Sequence, residues 1–472
     1  MIKQSKITLF WFRNDLRITD NPGLFHAADN GSVMPIYILD DIYSGNYKMG
    51  TASRWWLYNS LKDLNLSLDN ALNIYSGDPL VIIADLVERY NISAVYFNRC
   101  YEPWSIKIEL LLQAYLKEKN IECVSFNASL LWEPWDILKK DRTPYKVFTP
   151  YFRNGCLSAP TPRKPIGKPA RLSCVYDPDK TLLLPLLLKQ SEESQELAHY
   201  WEIGEQAAYK KLRLFIKNNI TGYTKNRDFP GISGTSRLSP YLHYGEISPH
   251  QVWHYTIKNS KGEDTQTFLK QLGWREFSYY LLYHFPELPY KNFQEKFNTF
   301  AWHKNVRLLR AWQTGQTGYP IIDAGMRELQ MTGYMHNRVR MIVASFLVKN
   351  LLIDWREGAD WFWDHLVDAD LANNSASWQW VAGCGADAAP YFRIFNPVTQ
   401  GEKFDKQGDY TKKFVPELAK LPAKYLFKPW TAPQDVLISS GVILGDTYPL
   451  PIVDLKKSRN YALKAYYNLK KT

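Results

Sequence analysis

Cysteine is scarce in this chain, and the few cysteines follow no recognisable pattern. The five among 472 residues are Cys100, Cys123, Cys156, Cys174 and Cys384. Zinc sites and disulfide frameworks use cysteines at characteristic spacings, such as a CxxC pair, and no such pair occurs. We therefore predict neither a metal site nor disulfide bonds, and the scatter favours a reducing compartment.

Long hydrophobic runs are lacking as well. The apolar run within MIKQSKITLFWFRNDLR is too short for a signal peptide, and no segment approaches the length that spans a membrane. The first strand-like run is not followed by GxGxxG, the usual dinucleotide-binding motif. These absences predict a soluble, cytoplasmic protein without a membrane partner and without an ordinary dinucleotide site after the first strand.

Positive charge and aromatic side chains are abundant. Lys and Arg number 58 against 47 Asp and Glu, which gives a net charge of +11. Such a surface attracts anions, with nucleic acid ahead of an acidic membrane. Aromatic residues make up 15% of the chain and include 17 tryptophans. Large rings stack on flat ligands, and indoles also relay electrons. The composition favours a globular protein with an anionic or planar ligand.

The residue pattern changes twice along the chain. Up to residue 130, apolar runs such as ITLFWF, SVMPIYIL and ISAVYFN alternate with helical stretches, which predicts a Rossmann-like parallel sheet with crossover helices. Residues 131–200 have no steady period and are rich in proline and lysine, so we predict an interdomain linker. Residues 201–472 show apolar residues at helical spacing, which predicts a second, all-α domain.

The most informative stretch is DADLANNSASWQWVAGCGADAAPYFRIFNP, residues 368–397. Asp368 and Asp370 precede Asn374, and Trp378 follows four residues later, so the amide and the indole would share one helical face. Carboxylate and amide groups suit a heteroaromatic cofactor, and an indole can supply it with electrons. We interpret the stretch as part of a cofactor site.

A second group lies in GTSRLSP, where Thr235, Ser236, Arg237 and Ser239 occupy a turn before a helix. Hydroxyl and backbone amide groups at a helix start suit a phosphate. Ordinary helix capping is the alternative, because Ser and Thr are favoured at that position.

Two further groups lie on predicted helices. In FLKQLGWREF, Gln271 and Trp274 are three residues apart on one face, where an amide can read a base edge beside an indole. In MHNRVRM, Asn337 and Met341 are four apart. Between them, Arg340 is predicted to pair with a carboxylate such as that of Asp368, which leaves Arg338 for a phosphate. The alternatives are a buried Trp beside a solvated Gln, and a surface basic pair.

Seven motifs occur in the order in which the photolyase and cryptochrome flavoproteins carry them. They are WFRNDLRITDN, YKVFTP, GTSRLSP, WREF, TGYPIIDAGMR, MHNRVRM and the stretch 368–397. The resemblance covers nearly the whole chain and is greatest to the class I cyclobutane pyrimidine dimer photolyases. It implies an α/β antenna domain at 1–130, the linker at 131–200, and a helical domain at 201–472 that binds FAD and DNA.

The resemblance also implies roles for single residues. Those that match FAD contacts are Tyr223, Thr235, Ser236, Arg237, Leu238, Ser239, Arg340, Asp368, Asp370 and Asn374. Asn374 matches the asparagine that faces flavin N5, where a neutral amide stabilises reduced flavin and favours repair over signalling. Trp378, Trp355 and Trp302 match the chain that carries electrons inward to FAD, although their spacing gives no evidence that they touch.

The implied activity is that of a deoxyribodipyrimidine photo-lyase. Excited, reduced FAD passes one electron to a pyrimidine dimer in ultraviolet-damaged DNA, after the dimer has left the duplex. The residues that match lesion and DNA contacts are Gln271, Trp274, Arg275, Asn337, Arg338, Met341, Trp380 and Arg393. Family precedent predicts a monomer.

Two departures from the family pattern leave alternatives open. Gln271 stands where class I enzymes usually have a glutamate, and glutamine also occurs there in (6-4) photolyases. Those enzymes carry histidines at the positions of Asn337 and Met341, and without an imidazole their proton transfer lacks its donor. Dimer repair is therefore our first prediction and (6-4) repair an alternative. A cryptochrome photoreceptor without repair activity is the other alternative.

The second departure concerns the antenna chromophore. Trp104 and Ser105 fall where some folate-binding relatives have an Asn-Glu pair. A methenyl folate, a deazaflavin, another flavin or an empty site all remain possible. We expect nearby Glu102 to be a solvated carboxylate at a helix start.

Overall fold

The computed structural model describes residues 6–179 and 196–469, so residues 180–195 of the predicted linker lie outside the described residues. Internal contacts divide the described residues into two compact units. The first unit takes those within Met1–Asn218, Ser236–Pro286 and Val367–Ala372. The second takes those within Asn219–Thr235, Glu287–Leu366 and Asn373–Thr472. The domain boundaries at residues 130 and 200 stay a prediction.

Five parallel strands form the sheet of the first unit. They are β1 (Ile7–Phe12), β2 (Ser32–Leu39), β3 (Asn73–Ser76), β4 (Ala94–Asn98) and β5 (Glu122–Phe126). Their order is β3-β2-β1-β4-β5, and Thr8 of the central strand lies opposite Val33 and Ala94. A parallel sheet is covered on both faces, so its inner strands are continuous apolar runs. The predicted α/β fold is confirmed.

Crossover helices connect these strands and cover the sheet. They are α1 (Pro22–Asn30), α2 (Thr51–Ser67), α3 (Pro79–Arg89) and α4 (Pro103–Glu118). Asn21 caps α1 by accepting from the Leu24 amide, and Asp78 caps α3 by accepting from the Leu80 amide. Each cap is followed by proline, whose missing N–H costs nothing at the first helical position. The sequence therefore fixes where these helices begin.

Helices make up most of the described chain after residue 196. The longer ones are Glu205–Asn218, Pro249–Asn259, Glu263–His284, Val306–Gln313, Pro320–Thr332, Asn337–Ser345, Trp355–His365, Leu371–Ala382, Pro397–Phe404 and Leu455–Leu469. Shorter helices there are Tyr223–Asn226, Ser239–His243, Asp409–Phe414, Ala423–Leu426 and Gln434–Ser440, and one further short helix, Phe148–Pro150, precedes residue 196. The predicted helical second half is confirmed. Over the described ranges, no helix has both the length and the hydropathy for a membrane span.

Glu102 corrects one expectation. It directly precedes α4, as the sequence indicated, but it is only 7% exposed and not solvated. Burial raises the pKa of its carboxyl group, and the nearby carboxylate of Asp370 raises it further, against the opposing charges of His243 and Arg13. Sequence spacing did not indicate this because the neighbours that bury Glu102 come from distant parts of the chain.

Part of the proline-rich segment after β5 packs on the sheet. The Val33 amide donates to the Ser173 carbonyl at 2.8 Å, and the Val175 amide donates to the Val33 carbonyl at 2.7 Å. Just beyond, the buried carboxylate of Asp177 accepts hydrogen bonds from the hydroxyls of Tyr75 and Tyr90, each at 2.6 Å. Asp177 therefore ties the segment to the ends of β3 and α3.

Hydrogen bonds explain why the buried carboxyl group of Asp177 stays ionised. Burial alone would raise its pKa, but the hydrogen bonds from Tyr75, Tyr90 and Arg89 lower it to about 2. The folded-state pKa thus lies below the ordinary value of 3.8. The stabilisation is complete above that ordinary value and is lost as the pH falls through about 2.

We predict that Asp177→Asn lowers the free energy of unfolding at pH 7 by about 1–3 kcal/mol, because buried donors lose their charged acceptor. Urea denaturation of the two proteins measures the difference. The matched control is Asp179→Asn, since that carboxylate is 80% exposed and 3.5 Å from Arg89. The difference in the free energy of unfolding between wild type and Asp177→Asn should become smaller as the pH falls from about 4 toward about 2. Equal stability of all three proteins at pH 7 would contradict this assignment.

Candidate functional site

In the first unit, three of the predicted cofactor residues lie together. Segment 367–372 packs beside the short helix Ser239–His243, and the Ser239 hydroxyl donates to Asp368 Oδ2 at 2.6 Å. Asp370 Oδ2 accepts from the Tyr279 hydroxyl and lies 3.1 Å from His243 Nδ1. The structure therefore brings together the GTSRLSP motif and the two carboxylates, which are far apart in sequence.

Two members of this cluster were missed by the sequence analysis. His243 lies four residues after Ser239, and this helical spacing was the one signal that pointed to it. Tyr279 follows Arg275 by one helical turn, and the Arg275 guanidinium lies over its ring at 4.8 Å. Burial, then the neighbouring carboxylate of Asp370, raises the pKa of Tyr279 well above its ordinary range, so it remains a hydrogen-bond donor.

Within the GTSRLSP motif, Arg237 has an unusual backbone conformation. Its φ angle is +52°, in the left-handed region that L-residues other than Asn and Asp seldom adopt. Its guanidinium stacks over the Trp201 ring at 4.3 Å, and the adjacent Leu238 is buried. Such strain persists where the surroundings fix it, and it is common at binding sites. Ser236 is half-buried beside it.

In the second unit, Asn374 is fixed by its own amide. Its Nδ2 donates to the Ala359 carbonyl at 2.9 Å, which joins the helix Leu371–Ala382 to the helix Trp355–His365. Contact between these helices is close at Gly358, where an added Cβ would lie 2.1 Å from the Trp378 ring. The orientation of Asn374 therefore depends on a glycine that lets the indole approach.

The other predicted cofactor residues of the second unit are Tyr223, Thr235 and Arg340. Arg340 Nε donates to the Met335 carbonyl at 2.8 Å, and its guanidinium lies 5.1 Å from the Tyr334 ring. Tyr223 is buried, which raises its pKa to about 12, while Thr235 is half-buried. Asp368 belongs to the first unit, so its predicted pairing with Arg340 stays a prediction.

The three predicted electron-transfer tryptophans all lie in the second unit. Trp378 packs against Phe362 with ring centroids 5.0 Å apart, and also contacts Trp312 at 6.2 Å. Trp355 is buried, and its indole N–H donates to Asn292 Oδ1 at 2.9 Å. Trp302 contacts Phe300 at 4.3 Å. Within the residues the structure covers, no direct ring contact joins the three tryptophans.

The predicted lesion contacts of the first unit lie along the helix Glu263–His284. Trp274 is 37% exposed and stacks on Phe148 with ring centroids 3.7 Å apart and an interplanar angle of 11°. Gln271 Nε2 donates to the Thr267 carbonyl at 3.0 Å. Arg275 donates to the Ser129 carbonyl and pairs with Glu276 at 3.2 Å. Phe148 was missed as a site residue, although it lies in the YKVFTP motif.

In the second unit, three of the predicted lesion and DNA contacts lie on the helix Asn337–Ser345. Asn337 Nδ2 lies 4.0 Å from Met341 Sδ, so the pair shares one face as predicted from spacing. Arg338 pairs with Asp228 at 2.7 Å, and its guanidinium lies 4.5 Å from the Phe404 ring. The remaining two, Trp380 and Arg393, are half-buried and exposed respectively.

The imidazole of His336 adjoins the Asn337–Met341 pair. His336 is only 5% exposed, and its Nδ1 accepts from the Arg338 amide at 3.2 Å. Burial is the main reason why its pKa falls to about 4. His336 is therefore neutral at pH 7.

Comparison with known proteins identifies both halves of the chain. Residues 8–169 match the family described as DNA photolyase, and residues 268–468 match the FAD binding domain of DNA photolyase. The chain is 46% identical over 474 residues to the deoxyribodipyrimidine photo-lyase of Agrobacterium fabrum, with 98% of each chain covered. It is 37% identical to Cryptochrome-1 of Arabidopsis thaliana, covering 96% of this chain and 69% of that relative.

A solved structure gives the same result. It is described as a bacterial class III photolyase from Agrobacterium tumefaciens, and it matches with a TM-score of 0.96 and 45% identity over 100% of this chain and 99% of that one. The expected likeness to class I enzymes stays a prediction. The chain belongs to the photolyase/cryptochrome family, and its carboxyl-terminal part is the family's FAD-binding domain.

Proposed function

We propose that this protein repairs cyclobutane pyrimidine dimers in ultraviolet-damaged DNA by light-driven electron transfer, and that it acts as a monomer. Its likeness over 98% of its length to an enzyme named deoxyribodipyrimidine photo-lyase supports this reaction. The net charge of +11 supports a polyanionic partner. For the antenna site, the alternatives are a methenyl folate, a deazaflavin, another flavin and an empty site.

The donor and acceptor groups of each unit fit FAD. In the first unit, the carboxylates of Asp368 and Asp370 can accept from ring N–H and sugar hydroxyl groups, and the Ser239 hydroxyl orients the first of them by donating to it. In the second unit, Arg340 provides a cation and Asn374 a neutral amide. Bound and reduced, FAD supplies the photoexcited electron, while these residues orient it and set its electrostatic surroundings.

Asn374 is suited to hold the reduced cofactor without protonating it. Because its Nδ2 donates to the Ala359 carbonyl, the amide cannot rotate freely, and Oδ1 has a defined direction. An amide carries no titratable proton at neutral pH, whereas a carboxylic acid in its place could donate one. This property favours repair over a photoreceptor role.

Trp274 provides a flat surface for a flipped lesion. Its ring is partly exposed and is backed by Phe148, so the indole has one stacked face and a fixed plane. Stacking of a base on an aromatic ring contributes about 1–3 kcal/mol. Gln271 lies three residues earlier on the same helical face and can donate to or accept from a pyrimidine edge.

The observation that carries the choice of lesion is the surroundings of Asn337 and Met341. Repair of a (6-4) photoproduct requires a proton donor beside the lesion, and neither an amide nor a thioether provides one at neutral pH. The adjacent imidazole of His336 is buried and neutral, since its pKa is about 4. A dimer can be split by electron transfer and return without this proton, so these residues support dimer repair.

A photoreceptor role is the second candidate. The likeness to Cryptochrome-1 over 96% of this chain favours it. It predicts tight FAD binding with photoreduction but without lesion repair. Asn374 and the Trp274–Phe148 stack both support the repair function instead.

The deciding experiment is a repair assay with chemically reduced, FAD-loaded protein under blue light. One duplex carries a cyclobutane thymine dimer and a second carries a (6-4) photoproduct, with dark samples as controls. We expect light-dependent restoration of the dimer alone. Restoration of the (6-4) lesion alone would reject the assignment drawn from Asn337 and Met341, and flavin-loaded protein that repairs neither would favour the photoreceptor role.

We predict that Asn374→Asp raises the pKa of the reduced, bound flavin by at least about one unit, which corresponds to about 1.4 kcal/mol. An added carboxylate beside the ring favours its protonated form, and the carboxylate also loses the bond to Ala359. A spectroscopic pH titration of the photoreduced protein measures the shift. Asn373→Asp adds the same charge one position earlier and is the control. Identical titrations for both variants would mean that Asn374 does not face the flavin.

We predict that Gln271→Glu raises kcat/KM for dimer repair by about fivefold, because a charge-assisted hydrogen bond exceeds a neutral one by about 1 kcal/mol. Gln266→Glu, at an exposed position of the same helix, controls for the added charge. Repair kinetics on the dimer duplex give the ratio. If both variants change repair equally, Gln271 has no direct contact with the lesion.

A further inference from the structure

A lysine side chain is buried inside the second unit without a carboxylate as its partner. Lys349 is 1% exposed, and no Asp or Glu within the described residues forms an ion pair with it. Its ammonium group donates to the Arg393 carbonyl at 3.0 Å and lies 5.4 Å from the Tyr391 ring centroid. A buried cation that lacks an anionic partner is costly, so packing alone does not explain a lysine at this position.

The Lys349 amine keeps its charge at neutral pH in spite of this cost. Burial, followed by the positive charge of Arg393, lowers the pKa of Lys349 to about 8, so most of the molecules carry an ammonium group at pH 7. A charged donor forms a stronger hydrogen bond to a carbonyl than a neutral donor does. Lys349 also lies in the π-helical turn Phe346–Asn350, a backbone feature that is frequent at functional sites.

The acceptor of this hydrogen bond belongs to segment 389–395. Ser345 lies one helical turn before Lys349, and its hydroxyl accepts from the Phe395 amide at 3.4 Å. Two buried side chains of the same stretch of backbone therefore contact the segment, and the bond from Lys349 is both the shorter and the charged one. The backbone of Arg393 is thus fixed from the interior of the unit.

The Arg393 side chain leaves this fixed backbone at the surface. Arg393 is exposed, and its guanidinium forms no ion pair with any described Asp or Glu. Because like charges repel, the Lys349 ammonium disfavours an inward turn of the guanidinium. One lysine therefore holds the Arg393 carbonyl and also keeps the Arg393 cation directed toward solvent, where an anion can reach it.

We propose that Lys349 is a positioning residue for DNA binding, which holds segment 389–395 from the interior so that the Arg393 guanidinium meets a DNA phosphate. This inference rests on the proposed function, in which Arg393 is one of the predicted DNA contacts. Lys349 itself does not touch the DNA, and its effect passes through the backbone of Arg393.

The test measures the binding of FAD-loaded protein in the dark to a duplex with one cyclobutane thymine dimer, at several salt concentrations. Lys349→Met replaces the cation by an apolar chain of similar length, so the unfolding midpoint should not fall. We expect binding to weaken about fivefold and the slope of log Kd against log salt concentration to decrease by about one, because one phosphate contact is lost. Under light, KM for repair should rise while kcat stays unchanged.

A double-mutant cycle distinguishes positioning from a general structural effect. If Lys349 acts through Arg393, then Lys349→Met should weaken binding about fivefold in the wild type and hardly at all in Arg393→Ala. Lys428→Met is the control for the loss of one positive charge, since the Lys428 ammonium is already paired with Glu402 at 2.8 Å. This control should keep the wild-type affinity and salt slope.

Wild-type affinity and salt slope in Lys349→Met would overturn the inference, as would an equal loss of affinity with and without the Arg393 side chain. In either case, repair of the dimer by the wild type would leave the proposed function intact, whereas a wild type that neither prefers nor repairs the dimer duplex would overturn both. Should Lys349→Met fail to fold, Lys349→Gln replaces it in the same cycle. Its amide ends one bond short of the Lys349 nitrogen, so the same losses are expected.

Discussion

The burial of two carboxylates is the constraint on which the site in the first unit depends. Asp368 and Asp370 are both less than 10% exposed, and an uncompensated buried charge costs several kcal/mol. Ser239 donates to the first carboxylate, while Tyr279 and His243 contact the second. Segment 367–372 is therefore fixed by hydrogen bonds to two different helices. Charge that is costly to bury becomes useful where a ligand with N–H or O–H groups can share it.

The distance along the chain between interacting residues explains why some parts of the molecule could be predicted from the sequence and others could not. The sheet and its helices follow from local signals, because apolar runs, caps such as Asn21 and prolines at helix starts act within a few residues. Asn337 and Met341 were placed on one helical face for the same reason. Their separation of four residues fixes their neighbourhood whatever the rest of the chain does.

Contacts between distant segments had no such signal. Ser239 and Asp368 are separated by 129 positions, and Asp177 and Tyr75 by 102. The motifs indicated which residues matter through the family resemblance, but not which hydroxyl meets which carboxylate. His243, Tyr279 and Phe148 were missed because their roles appear only when separate segments pack together. The solvated state expected for Glu102 was wrong for the same reason, since burial is a property of the folded chain.

Neutrality is what distinguishes the proposed lesion site from a proton-transfer site. Three groups are uncharged at neutral pH: the amides of Asn374 and Asn337, which do not titrate, and the imidazole of His336, whose pKa burial lowers to about 4. Electron transfer to a dimer and back leaves the total charge unchanged, so a surrounding without proton donors favours return of the electron over side reactions. The uncharged state of these groups is therefore the feature of the second unit that supports the proposed return of the electron over transfer of a proton.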